Sequence, residues 1–501
     1  MKKLRNILLE CGPWLLAATI AACVAVLAVW WGGVNQDEGW YLYAARLVRD
    51  GMLPYRDFFF TQGPVFPFIY SVMPVNGLLS GRIVTISFSL AATLMAMAFA
   101  RRLVSPERRG LVGLTVFTML ACNLYHVYFT AIPKTYAVGA LLVMAGFLLL
   151  SRGMHFLSAV SFALASGTRI SLVLILGVVG VGLMVSRFRS LGWLWFGIGG
   201  LLGLFIVYGI FALDSGSLKG LLAAQAYHAG RGGFDAFFVV GSVSRLVRGY
   251  LALGGVLFAA CALGKRGAVS SNEGTRWLRW VAGCSFAAVF ILQMSAPFPY
   301  DDYGVPIMPI LAVLISVWFA ERADGRSMRW FSVLIAGMCA FGSPLVQDWM
   351  TNGQDRFWSI KKGQSELSQV REAARRIESI DPGGDTLLTQ DTYLAVETGR
   401  KVPRGMEMGP FSYFPKMSTT EAESIHVLNT ELMERLLKSA PCGAAAVSGY
   451  GFAIECPKGS KTPEEVRERY LSIIGERYGC VGVEENFGQN HTTLRLFKRN
   501  Q

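Results

Sequence analysis

The chain has 501 residues, of which 53% are hydrophobic and only 16% charged, and its mean hydropathy is +0.42. That balance excludes an ordinary soluble enzyme and fits a polytopic helical membrane protein. The net charge of +13 is unevenly spread: from Asp348 onward there are 20 basic and 21 acidic residues, so the preceding part carries 27 basic against 13 acidic. A basic excess beside apolar segments marks loop orientation in a bilayer, not a nucleic-acid site.

Eleven apolar runs follow one another at 14–31, 83–100, 111–129, 136–150, 155–166, 170–185, 191–213, 250–263, 277–295, 305–320 and 330–346. Lys2, Lys3 and Arg5 before the first run resemble a signal peptide, and Ile20-Ala21-Ala22-Cys23 resembles a lipoprotein cleavage site. The run continues past Cys23 to Trp31, however, which is long enough to span, so it reads as a retained first helix.

The stretch 155–185 is interrupted by Ser166-Gly167-Thr168-Arg169. A single span would hold Arg169 in lipid, at high cost, whereas two short spans bring it to a surface. Two spans also place 17 of the 27 basic residues on one side, as the positive-inside rule expects of a cytoplasmic face. The N-terminus is then cytoplasmic. The opposite face receives loop 33–81, the short loop around Lys134, residues 167–169, 214–248 and 297–304, and everything after 347.

Loop 33–81 is the most informative. It opens with Asn35-Gln36-Asp37-Glu38-Gly39-Trp40 and runs on to Pro54-Tyr55-Arg56-Asp57 and Gly63-Pro64. Apolar and aromatic residues at helical spacing from Glu38 to Val48 predict a helix lying in the membrane interface, with Trp40, Tyr41 and Tyr43 at headgroup depth. Gly51 ends it and Pro54 prevents its continuation. Asp37 and Glu38 admit two readings: a solvated pair capping that helix, or a catalytic carboxylate that takes an acceptor proton or holds a metal.

Residues 347–501 have soluble composition and predict a small α/β domain. Its elements are a helix at 365–380, a strand at 386–389, a helix at 419–438, strands at 443–447 and 451–454, a helix at 463–474 and a last strand at 492–497. Cys442, Cys456 and Cys480 lie in it, and an extracytoplasmic location is compatible with one disulfide whose pairing is open. The other six cysteines lie in or beside apolar runs and behave as small hydrophobes. No P-loop, dinucleotide fingerprint, GxSxG or HExxH stands in a suitable context.

Asp37-Glu38, Tyr43, Ala44, Gly51, Pro54-Tyr55-Arg56-Asp57 and the proline-containing re-entry resemble the first outer loop of GT-C glycosyltransferases. The similarity is greatest to the branch of protein O-mannosyltransferases and lipid A aminoarabinose or galacturonosyl transferases. The resemblance is confined to this loop and to the order of later motifs. It implies a multi-spanning fold, a polyprenyl-phosphate-linked sugar donor, and inverting transfer to a lipid, glycan or protein acceptor with Asp37 as the catalytic carboxylate and Glu38 in support.

Within that resemblance, Thr168-Arg169 is similar to a short basic motif that meets the carrier phosphate; the competing reading of Arg169 is an interfacial anchor. Asp301-Asp302-Tyr303, with Pro306 and Pro309, is similar to a tyrosine-proline motif, but Asp302 stands where a basic residue is common. Tyr303 is assigned to the phosphate, and Asp301 and Asp302 join Asp37 and Glu38 as candidate ligands for a divalent metal. His228 and Arg231 lie in a long loop that closes over the carrier. Relatives carry a lysine where this chain has Thr61-Gln62, so Arg56 or Arg169 is left to replace it, and Asp57 beside Arg56 is counted with the carrier-binding residues. The segment Met406-Glu407-Met408-Gly409-Pro410 reads as ordinary domain packing or as a loop over the membrane part.

The sequence thus predicts a GT-C-like transmembrane domain at 1–346 and an extracytoplasmic α/β domain at 347–501, in a bacterial inner or plasma membrane. A transporter or flippase is the rival class, but charges clustered at one face and the lack of matching halves speak against it. A non-catalytic assembly subunit is a third reading.

Overall fold

The computed structural model describes residues 2–187, 190–230, 235–262, 273–296, 299–323, 326–342, 364–489 and 491–500. Among the described residues, five helices are long and apolar enough to cross a membrane: Cys11–Trp31, Leu78–Arg102, Gly192–Ala212, Glu273–Met294 and Asp302–Arg322. Two bent pairs qualify when each is counted as one span, Pro106–Ala121 with Leu124–Ala131 (63°) and Ala236–Gly249 with Leu251–Ala262 (66°). The shorter apolar helices Thr135–Ser151, His155–Ser166, Ile170–Ser186 and Met328–Phe341 account for the remaining runs. Residues 155–185 do form two helices, broken at Gly167–Arg169.

Within 214–248, which reads as a connecting loop, the chain forms the helices Ser215–Ala229 and Ala236–Gly249, the latter being the first half of the second bent pair. Arg245 and Arg248 obscure an otherwise apolar helix in the sequence. The two breaks are bonded to one another: the Asn123 side chain accepts from His126 N at 3.1 Å and donates to Gly249 O at 3.1 Å. Nothing larger than glycine fits at 249, because a Cβ there would lie 2.6 Å from the Tyr125 ring.

The chain divides into two compact units interleaved in sequence. One comprises Met1–Val29, Thr85–Val207 and Phe234–Phe357; the other comprises Trp30–Val84, Tyr208–Gly233 and Trp358–Gln501. Of the segments expected on one face of the membrane, loop 33–81, part of 214–248 and the C-terminal domain fall in the second unit, and the Lys134 loop, 167–169 and 297–304 in the first. Its C-terminal part carries a four-stranded sheet of β1 (Leu387–Leu388), β2 (Ala444–Val447), β5 (Tyr478–Phe487) and β6 (Thr492–Arg499), in the order β1-β2-β6-β5. β1 runs parallel to β2 and the other neighbours are antiparallel. A separate hairpin joins β3 (Ile454–Glu455) to β4 (Ser460–Lys461).

Three expectations for this domain change, one being the strand at 451–454, which is a turn until β3 begins at Ile454. The predicted helix at 419–438 is two helices, Thr419–Ser424 and Thr430–Ser439, because Asn429 starts the second by accepting from Leu432 N at 2.8 Å. The long strand β5 escaped sequence reading, since Tyr478 follows the helix Glu464–Arg477 with no turn residue between them. Cys442, Cys456 and Cys480 are all free thiols, the first two buried.

Candidate active site

In the second unit, Asn35 starts the helix Gln36–Arg49. Its side chain accepts from Asp37 N at 3.0 Å, while Asn35 N donates to Glu38 Oε1 at 2.9 Å, a reciprocal capping box. Glu38 is completely buried and its two oxygens receive Arg82 Nε and Nη2, both at 2.7 Å. Arg82 also donates to the carbonyls of Gly32 (2.8 Å) and Gly33 (3.1 Å), so one guanidinium fastens the helix start to the preceding turn. Glu38 is therefore a frame for its neighbour and is not itself open to substrate.

Asp37 is placed differently. Between Gly32 and Ala45 it is the one residue that is not buried. Its Oδ1 accepts from Trp40 Nε1 at 3.2 Å, which orients the carboxylate from within the same helix turn.

The helix is not an interfacial one. Trp40, Tyr41 and Tyr43 are 5%, 3% and 1% exposed, and Tyr43 Oη accepts from Val402 N at 2.9 Å. The aromatic face taken for a headgroup anchor is a protein-packing face. Gly39 shows how close the packing is, since a Cβ there would lie 2.3 Å from Tyr393 N. Burial pushes the Tyr43 hydroxyl up to about 12, so it remains neutral and able to bond.

Arg56 and Asp57 pair with each other at 2.8 Å and are partly exposed. Asp57 Oδ2 also accepts from Leu53 N at 2.7 Å, closing the turn, and the Arg56 guanidinium holds the carboxyl below its ordinary range. His228 Nε2 donates to Thr61 O at 2.7 Å, and His426 Nε2 donates to Arg56 O at 2.6 Å. Two distant segments thus shape the loop that follows the helix. Met406, Glu407 and Met408 are buried, in keeping with domain packing.

The first unit holds Arg169 and Lys134. Arg169 lies at the break between two helices, its guanidinium carbon 5.0 Å from the Tyr136 ring centroid and 4.6 Å from that of Tyr303. Lys134 Nζ, buried, donates to Asp302 Oδ2 at 3.1 Å and lies 5.4 Å from the Tyr136 ring. Two cations, one carboxylate and two tyrosines form a compact cluster of net charge +1. Arg169 and Tyr303 were expected at one phosphate site; Asp302 was expected only as a candidate metal ligand. Lys134 was not expected, although a lone lysine between two apolar runs, next to Pro133, is the signal that would have found it.

Arg231 and the side chain of Asp301 lie outside the described residues. Among those described, no group of three or more His, Cys, Asp or Glu side chains could hold a metal ion. Glu38 faces Arg82 and Asp302 faces Lys134, so these candidates do not form a cation cage.

No protein-family model and no curated protein matches the chain. Solved structures do. ArnT from Cupriavidus metallidurans bound to undecaprenyl phosphate superposes with a TM-score of 0.60 at 12% identity, over 97% of this chain and 98% of that one. Its apo state gives 0.60 at 14% identity over the same shares. The Archaeoglobus fulgidus oligosaccharyltransferase tethered to an acceptor peptide gives 0.46 at 9% identity, over 99% of this chain and 75% of that one. The fold is the GT-C fold that the first loop led one to expect.

Proposed function

We propose that this chain is an integral membrane glycosyltransferase that moves a sugar from a polyprenyl-phosphate carrier to an acceptor hydroxyl. The observation that carries the reading is Asp37, a carboxylate left accessible at the start of a helix whose surrounding residues are all buried. The fold shared with ArnT bound to undecaprenyl phosphate supports a lipid phosphate as leaving group.

Asp37 accepts the proton of the acceptor hydroxyl while that oxygen bonds to the anomeric carbon. The bond from that carbon to the phosphate oxygen breaks with its electron pair, the configuration inverts, and polyprenyl phosphate is released. Glu38 and Arg82 keep the helix start in place. Arg169, Lys134 and Tyr303 contact the phosphate, where a planar guanidinium and a point ammonium complement each other. Arg56, exposed beside Asp57, is a further phosphate contact, and Asp57 and His228 hold the loop that carries it. The α/β domain from 347 onward is extracytoplasmic, in a bacterial inner membrane, and the acceptor is a lipid, glycan or protein there.

The transporter reading calls for polar groups of broken helices lining a path. His126 and Tyr250, at the two breaks, are 2% and 5% exposed and bond each other at 2.7 Å, which suits a structural latch.

The test is release of undecaprenyl phosphate in proteoliposomes supplied with a panel of undecaprenyl-phosphate-linked pentoses and hexoses and an envelope lipid extract as acceptor. The intact protein should release it from at least one donor, and Asp37→Asn should lower the rate by ~100-fold or more. No release by the intact protein from any donor, or equal rates for the two proteins, refutes the reading.

A further inference from the structure

The segment that carries Asp37 is held at three closely spaced points by the C-terminal segment, two on the backbone and one on a side chain. Val34 N donates to Glu366 Oε2 at 2.7 Å, Gln36 N to Gln489 Oε1 at 2.9 Å, and Gln36 Nε2 to Asp391 Oδ1 at 2.6 Å. The last contact involves a side chain immediately beside Asp37. Gln36 is 4% exposed, and among the described residues its Oε1 has no hydrogen-bond partner, so Asp391 governs the orientation of the amide.

Asp391 is itself immobilised. It is completely buried, and it also accepts from Ser448 Oγ at 2.9 Å and Ser448 N at 3.3 Å. Burial pushes its carboxyl up from the ordinary range, a sign of how unfavourable this position is for a charge. A well-packed apolar pair would serve stability as well or better. A carboxylate–amide contact supplies direction, which an apolar contact does not.

We propose that Asp391 is a positioning residue for glycosyl transfer: through the Gln36 side chain it fixes the direction in which Asp37 presents its carboxylate. The C-terminal domain is then part of the catalytic frame rather than an appended acceptor-binding module. This rests on Asp37 being the catalytic carboxylate. A base displaced by about 1 Å loses on the order of 100-fold in rate while substrate binding is little altered, so the effect belongs in kcat.

The experiment compares Gln36→Met, Asp391→Asn, their combination and Asp37→Asn in the proteoliposome release assay, with donor concentration varied. Gln36→Met keeps the length of the side chain and removes the amide. It should lower kcat by ~10-fold or more with KM for the donor within about twofold of the original. Asp391→Asn should lower kcat in the same sense, and the double variant should be no slower than Gln36→Met, because both act along one path.

Unchanged kcat in Gln36→Met while Asp37→Asn is inactive overturns the proposal and leaves the functional reading standing. Multiplicative losses in the double variant also overturn it. Full turnover by Asp37→Asn removes the functional reading instead. If Gln36→Met shows no cooperative melting, Ser448→Ala decides: it weakens the hold on Asp391 without touching Gln36. It should cost about threefold in kcat at unchanged KM, about half of one hydrogen bond's net worth, and an unaltered kcat overturns the proposal.

Discussion

Glu407 offers the most quantitative test of the packing behind the candidate site. It is 6% exposed, its Oε2 accepts from Gly405 N at 2.8 Å, and burial pushes its carboxyl up to about 7 from 4.5. A folded-state value above the unfolded one means that this group's contribution to stability is fully present below about pH 4.5 and is lost as the pH rises through about 7. At 1.36 kcal/mol per unit, the protein is about 3 kcal/mol less stable at pH 8 than this group allows at acid pH. Glu407→Gln keeps an acceptor for Gly405 N and has no charge to bury. The variant should match the original protein below about pH 4.5, pull ahead of it progressively between pH 5 and pH 7, and keep a nearly constant lead above pH 7. For a unit of this size, 1 kcal/mol moves the melting temperature by roughly 2–4 °C, so the gap at pH 8 should be of order 6–12 °C. Tryptophan fluorescence during heating of the detergent-solubilised protein at pH 5, 6, 7 and 8 measures it. A gap that is the same at pH 5 and pH 8 refutes the reasoning, because it shows that the carboxyl does not titrate between them.

Arg82→Met strands the buried Glu38 carboxylate and should cost about 3–5 kcal/mol, seen as a lower melting temperature in detergent; a shift under 2 °C would contradict the pairing. Gly39→Ala drives a methyl group against Tyr393 N and should destabilise by about 1–3 kcal/mol, whereas Gly51→Ala, with open space around it but a φ of +88°, should cost only about 1 kcal/mol. Arg169→Lys keeps the charge but loses the planar stack between Tyr136 and Tyr303; it should weaken undecaprenyl phosphate binding, measured by tryptophan quenching in micelles, by roughly tenfold. Lys134→Met leaves Asp302 facing the cluster without its ammonium and should weaken the same binding more than Arg169→Lys does.

How far the sequence could lead depended on whether the determining partner was near in the chain. The apolar runs became helices because a span needs only local hydrophobicity, and the capping box at Asn35 and Glu38 is complete within four residues. The burial of Trp40, Tyr41 and Tyr43 was not legible, because an aromatic face reads identically whether it meets headgroups or another part of the protein. Tyr43 meets Val402, some 350 residues away, while Trp40 and Tyr41 pack on Phe60 and Phe66 of the same loop, whose return onto the helix no local spacing reveals.

Asp302 shows the same limit most clearly. Beside Tyr303 it looked like a departure from a motif that prefers a cation, and so weakened the case for a phosphate site. In space the cation is present: Lys134 supplies it and Asp302 binds it. A carboxylate held in that way fixes an ammonium that would otherwise extend freely into the nearest water, and it leaves the cluster with one net positive charge for an anion. The exchange of a basic residue for an acidic one at that position therefore moves the cation to another helix and does not abolish it. A chain that moved Lys134 elsewhere would have no reason to keep Asp302, so the pair should be lost together: Lys134→Met combined with Asp302→Leu should fold better than Lys134→Met alone and bind undecaprenyl phosphate less tightly than the original protein.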